Sequence, residues 1–261
     1  MVSLNVGRKL GDSDAWDAFL DDCRLSLRQW EIIFVCECDG VSDEVPSPYH
    51  GPHLAIRHWP GPGSWAMTMV INTRIRRYFK CCQPRGRAMR IHLRDSRYKT
   101  DVSVIGLHGG HGAELGPSLA DASSLIRSRK RGTDCIVLGD FNVDQLPVLA
   151  GDPWSGLPGR AGHHSFERNL LHAFCERFRL SVEMPKRVVG ECAGEHRLVS
   201  ALCPLTRIPT GEQLGVPSLL DYGLASPGII LDSAVDWEIA MADHGAYCCE
   251  ARISVQHLPQ R

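Results

Sequence analysis

The sequence predicts an α/β fold in which strands and helices are mixed irregularly. Three observations point there. The runs IIFVCE (32–37), VSVIGLH (102–108) and CIVLGDFN (135–142) are compact and apolar and end in polar residues, as strands covered on both faces do. Two segments instead repeat apolar residues at helical spacing: Trp16, Phe19, Leu20, Cys23, Leu27 and Trp30 within 13–30, and Phe166, Leu170, Phe174 and Phe178, with Leu171 beside them, within 165–179. The two kinds of segment do not follow a strict β-α alternation.

Taken in order, VSLNV (2–6) reads as a short strand carrying a polar Asn5, followed by the helix over 13–30 and the strand ending at Glu37. Residues 41–63, rich in Pro, Gly and His, read as loop. AMTMVI (66–71), AMRIHL (88–93) and VSVIGLH (102–108) read as strands, the last two as a hairpin. Residues 117–131 suit a helix with Leu119, Ala122, Leu125 and Ile126 inward, and 146–163 read as loop. The pattern from 181 to 217 is weak, and SLLDYGLAS (218–226) and GAYCCEARIS (245–254) read as the last strands. With no repeat, low-complexity tract or linker, the expected organisation is a single domain over 1–261.

Bulk properties narrow the class. The chain has 261 residues, 43% apolar and 23% charged, which is ordinary for a globular protein able to bury a core. No apolar run is long enough to span a bilayer, so no membrane partner is expected. MVSLNVGRKLGDSD offers no secretory signal, and the expected location is intracellular. Eleven cysteines with no CxxC pair read as reduced thiols, with no structural zinc site. The net charge of -1 conceals a strip: from Arg74 to Lys99 ten basic residues face one acid, Asp95. Arg74, Arg76, Arg77, Lys80, Arg85 and Arg87 are the candidate polyanion contacts there. Trp59, Trp65, Tyr78 and Phe79 near the strip could stack on bases or fill the core.

Four strand ends carry acids or amides: Glu37, Asp140 with Asn142, Asp221 and Asp243. Polar groups gathered on rigid strand ends suit an active site. In GDFN (139–142), Asp140 and Asn142 are two apart and would share a side of an extended segment. The carboxylate can accept a proton or hold a hard cation, and the amide can donate to a phosphate oxygen. In MADHG (241–245), Asp243 and His244 are adjacent, and Asp221, following two leucines, needs a partner that His244 could supply.

Six short motifs in order resemble the endonuclease/exonuclease/phosphatase superfamily: SLNV (3–6), VCE (35–37), GLHGGHG (106–112), GDFN (139–142), LLDY (219–222) and ADHG (242–245). The stretch TRIPTGEQLGVPSLLDYGLAS is similar to endonuclease domains of non-LTR retrotransposons. The resemblance implies a two-sheet β-sandwich flanked by helices on both sides, in four α/β/β/α layers. It implies Mg²⁺ or Mn²⁺ bound chiefly by Glu37, with Asn5 orienting ligands and Asp243 assisting. Asp140 would position or deprotonate the attacking water, and Asn142 would hold it or a phosphate oxygen. His244, aligned by Asp221, would contact the phosphate or act as base. His108, which could exchange roles with His111, would stabilise the transition state or protonate the leaving 3′ oxygen. Two departures stand out: Ala242 replaces a usual Ser, and the Thr-aromatic motif is unclear, with Thr206 beside Arg207 the best candidate and Thr210 the alternative.

The resemblance makes DNA the expected partner and nicking that leaves a 3′ hydroxyl the expected reaction. The chain would then be a module of a larger polyprotein with a reverse transcriptase, nuclear if the element is eukaryotic. A phosphatase or phospholipid-type phosphodiesterase is the alternative enzyme. A decayed domain that binds nucleic acid without cutting is the non-enzymatic one.

Overall fold

The computed structural model describes residues 1–7, 18–19, 30–38, 49–50, 53–61, 65–96, 100–130, 132–145, 165–190, 205–207, 218–241 and 244–253. The strands are β1 (Val2–Asn5), β2 (Ile32–Cys38), β3 (Tyr49–His50), β4 (His53–His58), β5 (Ala66–Asn72), β6 (Phe79–Arg85), β7 (Ala88–Asp95) and β8 (Thr100–His108). Helix α1 (Leu115–Arg127), strand β9 (Asp134–Asp140) and helix α2 (Ser165–Phe178) come next. The chain closes with β10 (Ser181–Glu183), β11 (Arg187–Val189), β12 (Asp221–Ala225), β13 (Ile229–Met241) and β14 (His244–Ile253).

The strands form two mixed sheets, the first ordered β11-β13-β14-β1-β2-β5-β4-β3 and the second β10-β12-β9-β8-β7-β6. They pack as a sandwich. Strand β2 shows why its sequence is almost continuously apolar: Ile32, Phe34 and Cys36 enter the core between the sheets. Ile33 and Val35 join Val2, Leu4, Val70 and Phe19 in a second cluster on the opposite face. Helix α1 lies on the outside of the second sheet, against β6, β7 and β8, with α2 beside it. Its buried Leu119, Ala122, Leu125 and Ile126 are the inward face its sequence predicts. Phe19, one of the two helical residues described in the stretch 13–30, is buried on the outer face of the first sheet. Most of that stretch lies outside the described residues, as do 146–163. No described helix is long and apolar enough to cross a membrane.

The sheets approach closely where Gly106 of β8 meets Phe34 of β2, since a Cβ on Gly106 would overlap the Phe34 ring. Gly139 does the same between neighbouring strands, where a Cβ would overlap the Leu107 carbonyl oxygen. That contact fixes β9 against β8 in parallel register, His108 level with Asp140. Antiparallel β12 sets Asp221 opposite Asp140 on the other side. Asp140, His108 and Asp221 therefore occupy one row at one end of the second sheet.

Several expectations need correction. Part of the expected loop over 41–63 forms β3 and β4, which complete the edge of the first sheet. Strand β13, not foreseen, pairs with β14 along most of its length. In α2 the buried residues are Leu171, Phe174 and Cys175, whereas Phe166 is 61% exposed. A strict spacing of four drifts round a helix of 3.6 residues per turn, so the first aromatic leaves the buried face.

Candidate active site

Glu37 enters the site through a local break in β2. Alternation would send its side chain to the outer face of the first sheet. The pairing with β5 shifts between Val35 and Cys38, and Glu37 takes φ 55. A bulge of this kind re-aims one side chain, and a non-glycine residue in left-handed conformation is the cost borne there. The Glu37 carboxylate is thereby brought to His108, whose Nε2 lies 3.3 Å from Oε1. Burial pushes the Glu37 carboxyl up, but the hydrogen bond and charge of His108, with help from Asn5 and His244, take it down to about 2.

Asp140 is the hub. Its Oδ2 accepts a 2.9 Å hydrogen bond from Asn5 Nδ2, and its Oδ1 accepts a 2.8 Å bond from the Asn142 backbone N–H. Asn5 is itself held, its Oδ1 accepting from Gly7 N–H at 3.0 Å. The expected extended relation of Asp140 and Asn142 is not what forms. Asn142 sits at φ 52 in a turn closed by Asp140, and its Nδ2 donates to Gly109 O at 2.7 Å. Asn142 thus ties the end of β9 to the loop after His108. Phe141 between them stacks on Tyr222, centroids 4.4 Å apart, and Tyr222 OH donates to Val143 O at 3.2 Å.

His244 opens β14 and lies with Nδ1 2.8 Å from Asp221 Oδ2. Both are buried. With Nδ1–H donating to the carboxylate, the pair fixes the tautomer and orientation of the ring. Thr206 holds this pair in place. Its Oγ1 accepts from the N–H groups of Leu220 and Asp221, each at 2.9 Å, and its carbonyl accepts from Gly245 N–H at 2.8 Å. Of the two threonines weighed from the sequence, Thr206 has this position, and Thr210 lies outside the described residues. So do Ala242 and Asp243.

Among the described residues two groups of potential ligands result, Glu37 with His108 and Asp140, and Asp140 with Asp221 and His244. Within each, the ligand atoms lie within 4.8 Å of one another. His111 is exposed before a 3-10 turn at Gly112–Glu114 and has no part in either. Carboxylate and amide oxygens suit a hard divalent cation. Asp221 Oδ1 is buried with no hydrogen-bond partner among the described residues, which suits a pocket that receives a charged guest.

Burial pushes the Asp221 carboxyl above its ordinary range, the neighbouring His244 pulls it back, and Asp140 adds to the rise. An acid whose folded pKa is raised contributes most to stability while protonated and loses that contribution as pH rises. Asp221→Asn is therefore expected to melt higher than the parent at neutral pH. The advantage should shrink as pH falls toward about 4, the ordinary carboxylate value. Differential scanning fluorimetry across pH checks this. A parent that melts higher at neutral pH would contradict it.

The basic strip does not form one face. Register across the second sheet puts Arg85 level with Ala88 and Leu107, at the end carrying His108, and Phe79 level with Leu93 and Val102 at the other end. Arg85 and Arg87 thus flank the site, while Arg74, Arg76 and Arg77, before β6, lie about 20 Å away along the strand direction, with Lys80 close to them. Arg90, counted in the strip, is buried under α1, where its Nη1 donates to Leu125 O at 2.6 Å and Nη2 to Gln83. Its work is to join α1 to the sheet. Among the aromatics, Trp59 is 43% exposed, whereas Phe79 packs against the core.

The sandwich, with this cluster at one end, is the fold of the endonuclease/exonuclease/phosphatase proteins, two of which from Bacteroides species cover 97–100% of this chain. The endonuclease domain of TRAS1, a telomere-specific non-LTR retrotransposon, superposes with a TM-score of 0.60 at 12% identity, over 98% of this chain and 97% of its own. The AP endonuclease LMAP from Leishmania major gives 0.68 at 14%, over 97% and 86%. A mannosyl-6-phosphatase from Bacteroides thetaiotaomicron gives 0.57 at 12%, over 97% and 100%. No protein-family model and no curated protein matches the sequence.

Proposed function

We propose that this chain is a divalent-metal-dependent phosphoesterase that cuts phosphodiester bonds in DNA, leaving a 3′ hydroxyl. The observation that carries the reading is Asp140 shared between two acid-imidazole groups. That arrangement provides a base, two proton-carrying imidazoles and a set of hard oxygen donors in one small volume.

Phosphodiesters resist hydrolysis because water attacks weakly and negative charge builds on the phosphoryl oxygens. Asp140, its oxygens oriented by Asn5 and the Asn142 N–H, is placed to hold the attacking water and take its proton. His244 Nε2, aligned through Asp221, faces a phosphate oxygen. His108 Nε2–H, held on Glu37, is the proton donor for the leaving oxygen. Glu37, with Asp140, Asn5 and Asp243, would hold Mg²⁺ or Mn²⁺, which supplies charge neutralisation at the phosphate. These are the roles the sequence resemblance suggested, except that Asp140 joins the metal-holding set and Asn142 acts on its neighbours' geometry instead of on the substrate.

DNA is favoured over small phosphate esters by Arg85 and Arg87 beside the site and by endonucleases among the proteins of this fold. In the retrotransposon-type reading the chain works in a polyprotein with a reverse transcriptase, in the nucleus where the element is eukaryotic. The mannosyl-6-phosphatase keeps small phosphate esters as the second reading. Supercoiled plasmid incubated with Mg²⁺, with and without EDTA, decides between them. Conversion to the nicked form that EDTA stops supports the proposal. Intact plasmid together with phosphate release from sugar or inositol phosphates overturns the choice of substrate.

A further inference from the structure

One polar side chain of α1 has no place in the proposed chemistry. Ser118 is fully buried beside Leu115, Leu119 and Ala122, where alanine would pack as well and favour the helix more. Its hydroxyl is engaged on both sides. Oγ donates to Glu114 O, four residues back, at 2.9 Å, and accepts from Gly110 N–H at 3.0 Å. Gly110 lies two residues beyond His108 and approaches the start of α1 so closely that a Cβ on it would overlap Glu114. Glu114, Ser118 and Asp121 are spaced four and three apart and so share one stripe. Glu114 Oε2 accepts from Arg87 Nη2 at 3.1 Å, and Asp121 Oδ2 accepts from Arg87 N–H at 3.2 Å. Arg87 O in turn accepts from His108 N–H at 3.0 Å. His108 is thus held through Arg87 on one side and through Gly110 on the other, and both holds lead to α1.

We infer that Ser118 is a positioning residue for His108, holding from outside the cleft the backbone that carries the imidazole. The inference rests on the proposed hydrolysis for its purpose. In that reaction the water oxygen bonds to phosphorus and its proton goes to Asp140. The bond from phosphorus to the 3′ oxygen breaks, and the His108 Nε2 proton passes to that oxygen. Transfer needs the ring within about 3.2 Å of the leaving oxygen, and a misplacement of about 1 Å can cost about 10²-fold. Glu37, 3.3 Å from the ring, belongs to the first sheet. The backbone of 108–110 is what ties the ring to the second sheet, where Asp140 lies. Residue 109 is fixed from within the site, Gly109 N–H donating to Asp140 O at 2.7 Å and Asn142 Nδ2 to Gly109 O at 2.7 Å. Ser118 fixes the next residue and touches no reacting atom itself. Without its hydroxyl the buried Gly110 N–H loses its acceptor, and the segment shifts to find another.

The test compares two substrates. On supercoiled plasmid with Mg²⁺, Ser118→Ala is expected to lower kcat about 10- to 100-fold, with KM within about twofold of the parent. On thymidine 5′-(p-nitrophenyl phosphate), whose p-nitrophenolate departs without a proton, the loss should shrink to about twofold or less. Ser118→Thr, whose hydroxyl can bond the same carbonyl, should keep kcat on plasmid within about fivefold of the parent. Alanine suits a helix, so the fold survives the change. Equal losses on both substrates, or no loss on plasmid, overturn the inference, as does a folded Ser118→Thr protein as slow as Ser118→Ala. Amide hydrogen exchange followed by NMR reads the hold without any substrate. Gly110 N–H should exchange at least about tenfold faster in Ser118→Ala, with Val137 of β9 unchanged. A parent that leaves plasmid intact counts against the hydrolytic reading, and the exchange result then decides by itself: faster exchange at Gly110 supports the hold, and unchanged exchange overturns it.

Discussion

Replacing Asp140 with asparagine is expected to lower kcat for plasmid nicking by about 10³-fold or more, with the fold retained. Each Asp140 oxygen accepts one hydrogen bond, from Asn5 Nδ2 and from Asn142 N–H. An asparagine offers one acceptor and one donor, so one of those contacts becomes donor against donor and the side chain turns. The reacting groups lose their base and the orientation of the hub at once. Stability should change little, because a lost hydrogen bond, worth about 1 kcal/mol, is offset by removing a buried charge that faces Asp221. Circular dichroism and a melting curve beside the nicking assay check this. An Asp140→Asn protein that cuts at a tenth of the parental rate would show that the base lies elsewhere.

Gly139→Ala is expected to prevent stable folding or to cost about 4 kcal/mol or more. Gly139 has φ 155, and a Cβ there would overlap the carbonyl oxygen of Leu107 on the adjacent strand. The obstacle is backbone, held by the β8–β9 ladder, and cannot swing aside as a side chain would. Moving the strands apart would also separate His108 from Asp140. Urea titration of the purified variant, or its loss to the insoluble fraction on expression, reports the effect. A variant within about 1 kcal/mol of the parent would mean that the ladder yields far more readily than its register implies.

Much of the site was legible because its residues sit at the ends of apolar strands. Runs such as CIVLGDFN announce both the strand and the point where it stops being apolar. Strands β2, β8, β9 and β12 deliver Glu37, His108, Asp140 and Asp221 in that way. Less legible were the elements whose sequence carries no such contrast. Strand β4, HLAIRH, is interrupted by polar residues because it lies near the sheet edge, and its neighbours Pro and Gly made it read as loop. Strand β13 carries Asp232, Ser233, Asp236 and Glu238 among its apolar residues and finds its place through pairing with β14. Pairing over distance leaves little local trace.

The geometry inside the cluster was also hidden. Spacing alone suggested that Asp140 and Asn142 share an extended face, yet the left-handed turn at Asn142 joins them through a backbone N–H. The bulge that turns Glu37 inward has no signature in VCE. The basic strip failed as a single face because sequence proximity says nothing of direction along a strand. One run of arginines supplies the site rim at Arg85 and Arg87, the far end at Arg74 to Arg77, and a buried tie at Arg90.

The account turns on Glu37, Asp140 and their neighbours forming one cation-holding centre. Titration of the protein with Mn²⁺, followed by electron paramagnetic resonance of the free ion, measures this without reference to any substrate. The expected result is saturable binding that is weakened at least tenfold in both Glu37→Gln and Asp140→Asn. Equal Mn²⁺ uptake by the parent and both variants would contradict it.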